Sequence, residues 1–139
     1  MLVSYNEKSF SSDFCKFIRE KYDDGSMSGS ACFELKIKKK GQRLNFKSDC
    51  QDHQLPALEK AKNSFIYHKI SDQSMGAKPF DSFVLNKSKS FLVIMWYEKR
   101  AKKEMVFIDI TNLLLWREIN KKKSITELEA RELGFIYQL

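Results

Sequence analysis

Two residues apart in the first third of the chain stand a carboxylate and an ammonium group, Glu34 and Lys36. They lie in Phe33-Glu34-Leu35-Lys36-Ile37, where apolar and charged residues alternate. A period of two marks a half-buried strand, and a strand points successive side chains to opposite faces. Phe33, Leu35 and Ile37 are predicted to enter a core, leaving Glu34 and Lys36 side by side on the other face. A carboxylate so placed can hold a hard divalent cation through oxygen. A lysine beside it can offset charge on a phosphate or orient an attacking water. Together they are half of a phosphodiester-cleaving site. A plain ion pair on a solvated strand would read the same way.

The elements that must position this pair follow from local pattern. Phe10, Phe14, Phe17 and Ile18 recur at helical spacing, which predicts a helix over Ser9 to Tyr22 capped by Ser11 or Ser12. After the strand, Lys40-Gly41-Gln42 reads as a turn and Arg43 to Lys47 as a returning strand. A helix opens near His53 and runs to Ser64, with Pro56 tolerated only in its first turn. That puts Gln54 at a helix N-terminus, where free backbone N–H groups cap the chain or meet a phosphate. Phe65 to Ile70 is a predicted strand, Ser71 to Pro79 a loop. Two apolar strands follow, Phe80 to Leu85 and Phe91 to Tyr97, joined by Asn86-Lys87-Ser88. The second has no alternation and should be covered on both faces. Met105 to Ile110 is a further strand, reached through the basic turn Glu98 to Lys103. A helix over Thr111 to Asn120 comes next, then one capped by Thr126, with Glu129 completing a capping box and Gly134 ending it. Phe135 to Leu139 closes as a short strand.

Composition narrows the class. The 139 residues suit one domain, and 42% hydrophobic with eleven Phe is enough for a real core. The fold class expected is α/β in the mixed α+β sense: a single domain over 1–139 with a mixed β-sheet flanked by helices. The formal charge of +7 favours an acidic partner, nucleic acid first and an anionic membrane second. No apolar run approaches membrane-spanning length, and Met1 to Ser12 is too polar for a secretory signal. Cys15, Cys32 and Cys50 are widely spaced and odd in number. With only His53 and His68 beside them they make no recognisable zinc pattern, and they read as reduced cysteines of a cytoplasmic, intracellular protein.

A cation on Glu34 needs a second acid. Asp23 and Asp24 sit in the Gly/Ser stretch just before the strand, where turn-forming aspartates are also common. Asp81 sits one position after the start of an otherwise apolar strand and needs a charge partner, a metal or water.

Phe33-Glu34-Leu35-Lys36, a basic turn, Phe46, then His53-Gln54 opening a helix resembles the PD-(D/E)xK nuclease superfamily, and within it the Holliday-junction resolvases of the recombination protein U type. Lys123-Ser124-Ile125 is similar to a Lys-Ser-hydrophobic segment near that family's end. The resemblance covers about thirty residues, and it is the order of the motifs that is specific. It implies a restriction-endonuclease-like core, a Mg²⁺-dependent (or Mn²⁺-dependent) endodeoxyribonuclease, four-way or branched DNA as partner, and a homodimer. Carried over by position, Glu34 is a metal ligand, Lys36 the catalytic lysine and Gln54 the helix glutamine near the site. The family's first acid has no clear strand here. Asp23 or Asp24 from a shortened hairpin, or Asp81 from another strand, would supply it, unless metal binding is lost.

Two readings follow. In one the chain cuts junctions, with Lys38, Lys39, Lys40 and Arg43, and Lys99, Arg100, Lys102 and Lys103, tracking backbone phosphates. In the other the same fold holds branched or single-stranded nucleic acid without chemistry. Trp96 and Tyr97 could then stack bases, although core packing accounts for them better.

Overall fold

A computed structural model describes residues 5–63, 65–69, 82–86 and 89–139. In chain order the elements are α1 (Glu7–Asp23), β1 (Ala31–Lys39), β2 (Leu44–Asn45), α2 (Gln54–Lys62), β3 (Phe65–Lys69), β4 (Ser82–Asn86), β5 (Lys89–Tyr97), β6 (Glu104–Asp109), α3 (Ile110–Asn120), β7 (Ser124–Ile125), α4 (Glu127–Leu133) and β8 (Phe135–Gln138). The expected mixed α+β class holds: a mixed four-stranded sheet, ordered β1-β5-β6-β8, is flanked by helices. β1 and β5 run parallel, from Ala31 opposite Lys89 to Lys39 opposite Tyr97. β5 to β6 and β6 to β8 are antiparallel. Two small sheets, β2 with β7 and β3 with β4, stand beside it.

β5 sits inside the sheet, and Leu92 to Trp96 are buried on both faces, as its unbroken apolar run predicts. One face carries Val93, Met95, Met105 and Phe107 and is closed by Phe10, Phe14 and Phe17 of α1, with Phe33, Leu35 and Ile37 of β1 packed in. The other carries Leu92, Ile94, Val106 and Ile108 and is covered from α2, α3, α4 and the β2–β7 pair by Leu55, Leu58, Leu113, Ala130, Leu44 and Ile125. Each fully buried Leu, Ile or Phe contributes roughly 1.5–3 kcal/mol of hydrophobic stabilisation.

Three expectations change. α1 starts before Ser9, because Asn6 is extended and its side chain accepts the Ser9 N–H at 3.0 Å. Ser11 and Ser12 are therefore inside the helix. That earlier start lets Phe10, fully buried, join the apolar stripe. The returning strand after β1 does not pair back. Gly41 turns the chain at φ +86, a conformation open to glycine. Leu44 and Asn45 then pair with Ile125 and Ser124. The Asn45 side chain accepts the N–H groups of Lys47 and Ser48, which ends the strand after two residues. β4 pairs with β3, not with β5. The loop expected over 71–79 lies outside the described residues. At the C-terminal end the capping box of Thr126 and Glu129 and the stop at Gly134 are both present.

Candidate functional site

Register places the pair. Glu34 lies opposite Leu92 and Lys36 opposite Ile94, so both side chains share the face of the aliphatic core. Covered there by α2, they sit at the core's margin and not on an open surface. The Lys36 side chain is 11% exposed and the Glu34 side chain 26%. Lys36 Nζ stands 3.5 Å from Glu34 Oε1. The lysine stem lies along apolar surface and its charge is met by the carboxylate.

Two further groups belong to this place. Asp49 takes Lys38 Nζ at 3.1 Å and the Asn45 N–H at 2.6 Å, which fixes the chain after β2 against β1. Cys50 is buried behind it. Burial pushes the Cys50 thiol up; the Lys36 charge works against that, Asp49 and Glu34 add to it, and Arg117 opposes it. Sequence reading passed over Asp49 because its segment reads as the end of a strand. It passed over Arg117 as an ordinary helix residue. The available signal was a lone Arg directly after Leu113-Leu114-Leu115-Trp116.

The other acids are placed as follows. Asp23 ends α1 and Asp24 caps it, on the side of the sheet where Phe33 points, with Tyr22 bonded to the Gly29 carbonyl. Asp24 accepts the Ser26 N–H at 2.7 Å, and that hydrogen bonding holds its carboxyl below the usual range. Asp23 is thus the last helical residue and Asp24 the turn residue after it, both across the sheet from Glu34. Asp81 lies outside the described residues. Gln54 opens α2 as expected, but its side-chain oxygen accepts the Gln51 N–H at 2.9 Å, which ties the preceding turn to the start of the helix. His53 precedes it with no side-chain cap. Among the described residues no group of three or more His, Cys, Asp and Glu stands ready to hold a metal ion.

The basic residues gather at one end of the sheet. The Lys40 N–H donates to the Tyr97 carbonyl at 3.1 Å, so the turn after β1 and the turn after β5 are neighbours. Several of these cations are engaged. Lys38 pairs with Asp49, Lys40 with Glu127 at 2.8 Å, and Lys103 lies 4.0 Å from Asp13 and over the Tyr5 ring. Lys39, Arg43, Lys99, Arg100 and Lys102 make no ion pair among the described residues. Trp96 is buried and donates its indole N–H to the Gln42 carbonyl, and Tyr97 stacks on Tyr5 with ring centroids 4.9 Å apart. Neither ring is free to stack a base. Cys15, Cys32 and Cys50 are all free thiols. No described helix is long and apolar enough to cross a membrane.

No family model, curated protein or solved structure matches the chain.

Proposed function

We propose that the chain is a Mg²⁺-dependent endonuclease that acts on four-way or branched DNA, with Glu34 and Lys36 as its catalytic pair. The observation that carries this reading is the Lys36 ammonium 3.5 Å from the Glu34 carboxylate, half sheltered on a strand that runs straight into a basic turn. At about 3.3 Å per residue, Lys40 lies roughly 13 Å beyond Lys36, a span of about two phosphate steps along a strand.

The donor chemistry fits magnesium. Glu34 offers a partly exposed carboxylate, and magnesium takes one or two carboxylates, then fills its positions with water and substrate phosphate. Glu34 would hold the ion; Asp81, the remaining second acid expected from the sequence, lies outside the described residues. Bound there, the metal would polarise the phosphate and lower the pKa of the attacking water. Lys36, already poised and sheltered from solvent, offsets the negative charge that grows on the phosphate in the transition state. Lys39, Arg43, Lys99, Arg100 and Lys102 position the backbone without reading sequence. A homodimer would set two such sites on opposed strands of one junction.

Cleavage of a synthetic four-way junction in Mg²⁺ tests this. Glu34→Gln should slow cutting by at least about 10²–10³-fold, the usual loss when one electrostatic stabiliser is removed. Undiminished cutting by that variant takes Glu34 out of the mechanism. A second reading, a non-catalytic module for branched DNA, is favoured by one fact: Glu34 and Lys36 neutralise each other. Calorimetry separates the two. Tight junction binding with no Mn²⁺ binding selects the module.

A further inference from the structure

A cleft of about 580 Å³ opens between the β2 segment, α2 and α3. Its lining comes from three places far apart in sequence: Phe46 and Lys47 after β2, Leu55 and Pro56 in the first turn of α2, and Arg117 of α3 with Lys123 before β7. Among the described residues Lys47, Arg117 and Lys123 make no ion pair. Elsewhere on the same face Lys36, Lys38, Lys40, Lys62 and Arg131 are each matched to an acid within 3.5 Å. Three unmatched cations therefore converge where only one carboxylate, Asp52, shares the lining.

The cleft is also framed. The Lys47 N–H donates to the Asn45 side chain at 2.9 Å, and the Phe46 N–H to the Lys123 carbonyl at 3.0 Å. Arg117 is held over the Phe46 ring at 4.3 Å, a cation–π contact that fixes its charge without neutralising it. Leu55 and Pro56 give an apolar wall. A cationic rim beside an apolar wall, in a volume in the small-ligand range, matches a nucleotide within a strand: its own and the flanking phosphates to the cations, its base to the wall.

Its position narrows the source. Asn45, which lines the cleft, donates its N–H to Asp49 at 2.6 Å, and Asp49 takes Lys38, two residues beyond Lys36 on β1, at 3.1 Å. The cleft and the pair are thus joined through Asp49. We infer that the cleft seats a nucleotide of a single nucleic-acid strand that continues past Glu34 and Lys36. This rests on the reading of nucleic acid as the partner and not on cleavage at Glu34.

The test is anisotropy of a labelled single-stranded oligonucleotide and of a labelled four-way junction. The full chain is compared with its Lys47→Gln/Arg117→Gln/Lys123→Gln variant over about 50 to 200 mM salt. Single-strand affinity should fall by at least about tenfold in the variant. The slope of log affinity on log salt should shrink by roughly 2, because three phosphate contacts each carry about 0.7 on a single strand. Thermal melting checks that the variant is folded. Should Arg117→Gln prove unfolded, Lys47→Gln/Lys123→Gln should still shrink the slope by about 1.4. Wild-type affinity and slope in a folded variant overturn the inference. So does AMP displacing the labelled strand at concentrations equal to the oligonucleotide, which would assign the cleft to free nucleotides. The two proposals fail separately. A triple variant that binds normally while Glu34→Gln abolishes cutting removes the cleft alone. A triple variant that loses binding while Glu34→Gln cuts normally removes only the role of Glu34.

Discussion

The two faces of the four-stranded sheet are built from different chemistry. On the α1 side the rings of Phe14, Phe17, Phe33, Phe91, Phe107, Phe135 and Tyr137 contact one another, with centroids 5.2 to 6.5 Å apart. Such pairs add about 0.5–1.5 kcal/mol each beyond the area they bury. The opposite side is aliphatic at its centre and charged at its margin, where Lys36 pairs with Glu34 and Lys38 with Asp49. β1 contributes to both, with odd residues to the rings and even residues to the charges. One strand thus divides a ring-rich face from one with charges at its margin. Those charges sit where coverage of the sheet is incomplete, not where the core is densest.

That division can be broken from either side. Phe107→Ala should cost about 3–5 kcal/mol, because it empties the hub of the ring cluster. Chemical denaturation measures it, and junction affinity per folded molecule should stay unchanged. A loss of affinity in the folded fraction would show that the faces are coupled. Thr126→Ala should cost about 1 kcal/mol by removing the cap of α4, read as a lower melting temperature. Lys36→Met should move stability by less than about 1 kcal/mol, or raise it, since a nearly buried ammonium gives way to an apolar stem of like shape. Its cutting should nonetheless fall with that of Glu34→Gln. A large destabilisation by Lys36→Met would make that lysine a structural residue.

The smallest effect expected is that of acid. For Glu127, burial acts to raise the carboxyl, but the hydrogen bonds from Lys40 and Arg131 outweigh it and hold the group below the ordinary value of 4.5. For Glu129, burial again acts upward and the Thr126 hydrogen bonds win. Both are easier to ionise in the folded chain than in the unfolded one. Their contribution is therefore complete above about pH 4.5 and disappears as pH falls below it through the lowered folded values. A melting temperature that rises on acidification through that window would contradict this placement of α4.

Much of the fold was legible where one pattern dominates. The alternation at Phe33 to Ile37, the unbroken run at Phe91 to Tyr97 and the Thr126–Glu129 box each name their element, because local chemistry and burial agree there. Pairing was less legible. Nothing in Arg43 to Lys47 says that Leu44 and Asn45 will meet residues some eighty positions later, since the partner is chosen by which core Leu44 and Ile125 can share. The same holds for the site. Glu34 and Lys36 are visible because they are two residues apart. The convergence of Lys47, Arg117 and Lys123 exists only after β2 and β7 pair, so no window of sequence contains it. Asp23 and Asp24 were close to Glu34 along the chain but are sent to the far side of the sheet by the alternation that exposes Glu34.

β1 ends the strand order, and its only described partner is β5. Its outer rim therefore carries backbone donors and acceptors that a stray strand could zip onto. Lys38, Lys39 and Lys40 stand along that rim, and lysine is the residue with which natural proteins repel such self-assembly. Lys39, which the proposed function sets against DNA, would thus also guard the chain from its own copies. Glutamine at all three positions should leave a protein that scatters light on concentration, and bound DNA should restore its clarity if a polyanion covers the same rim.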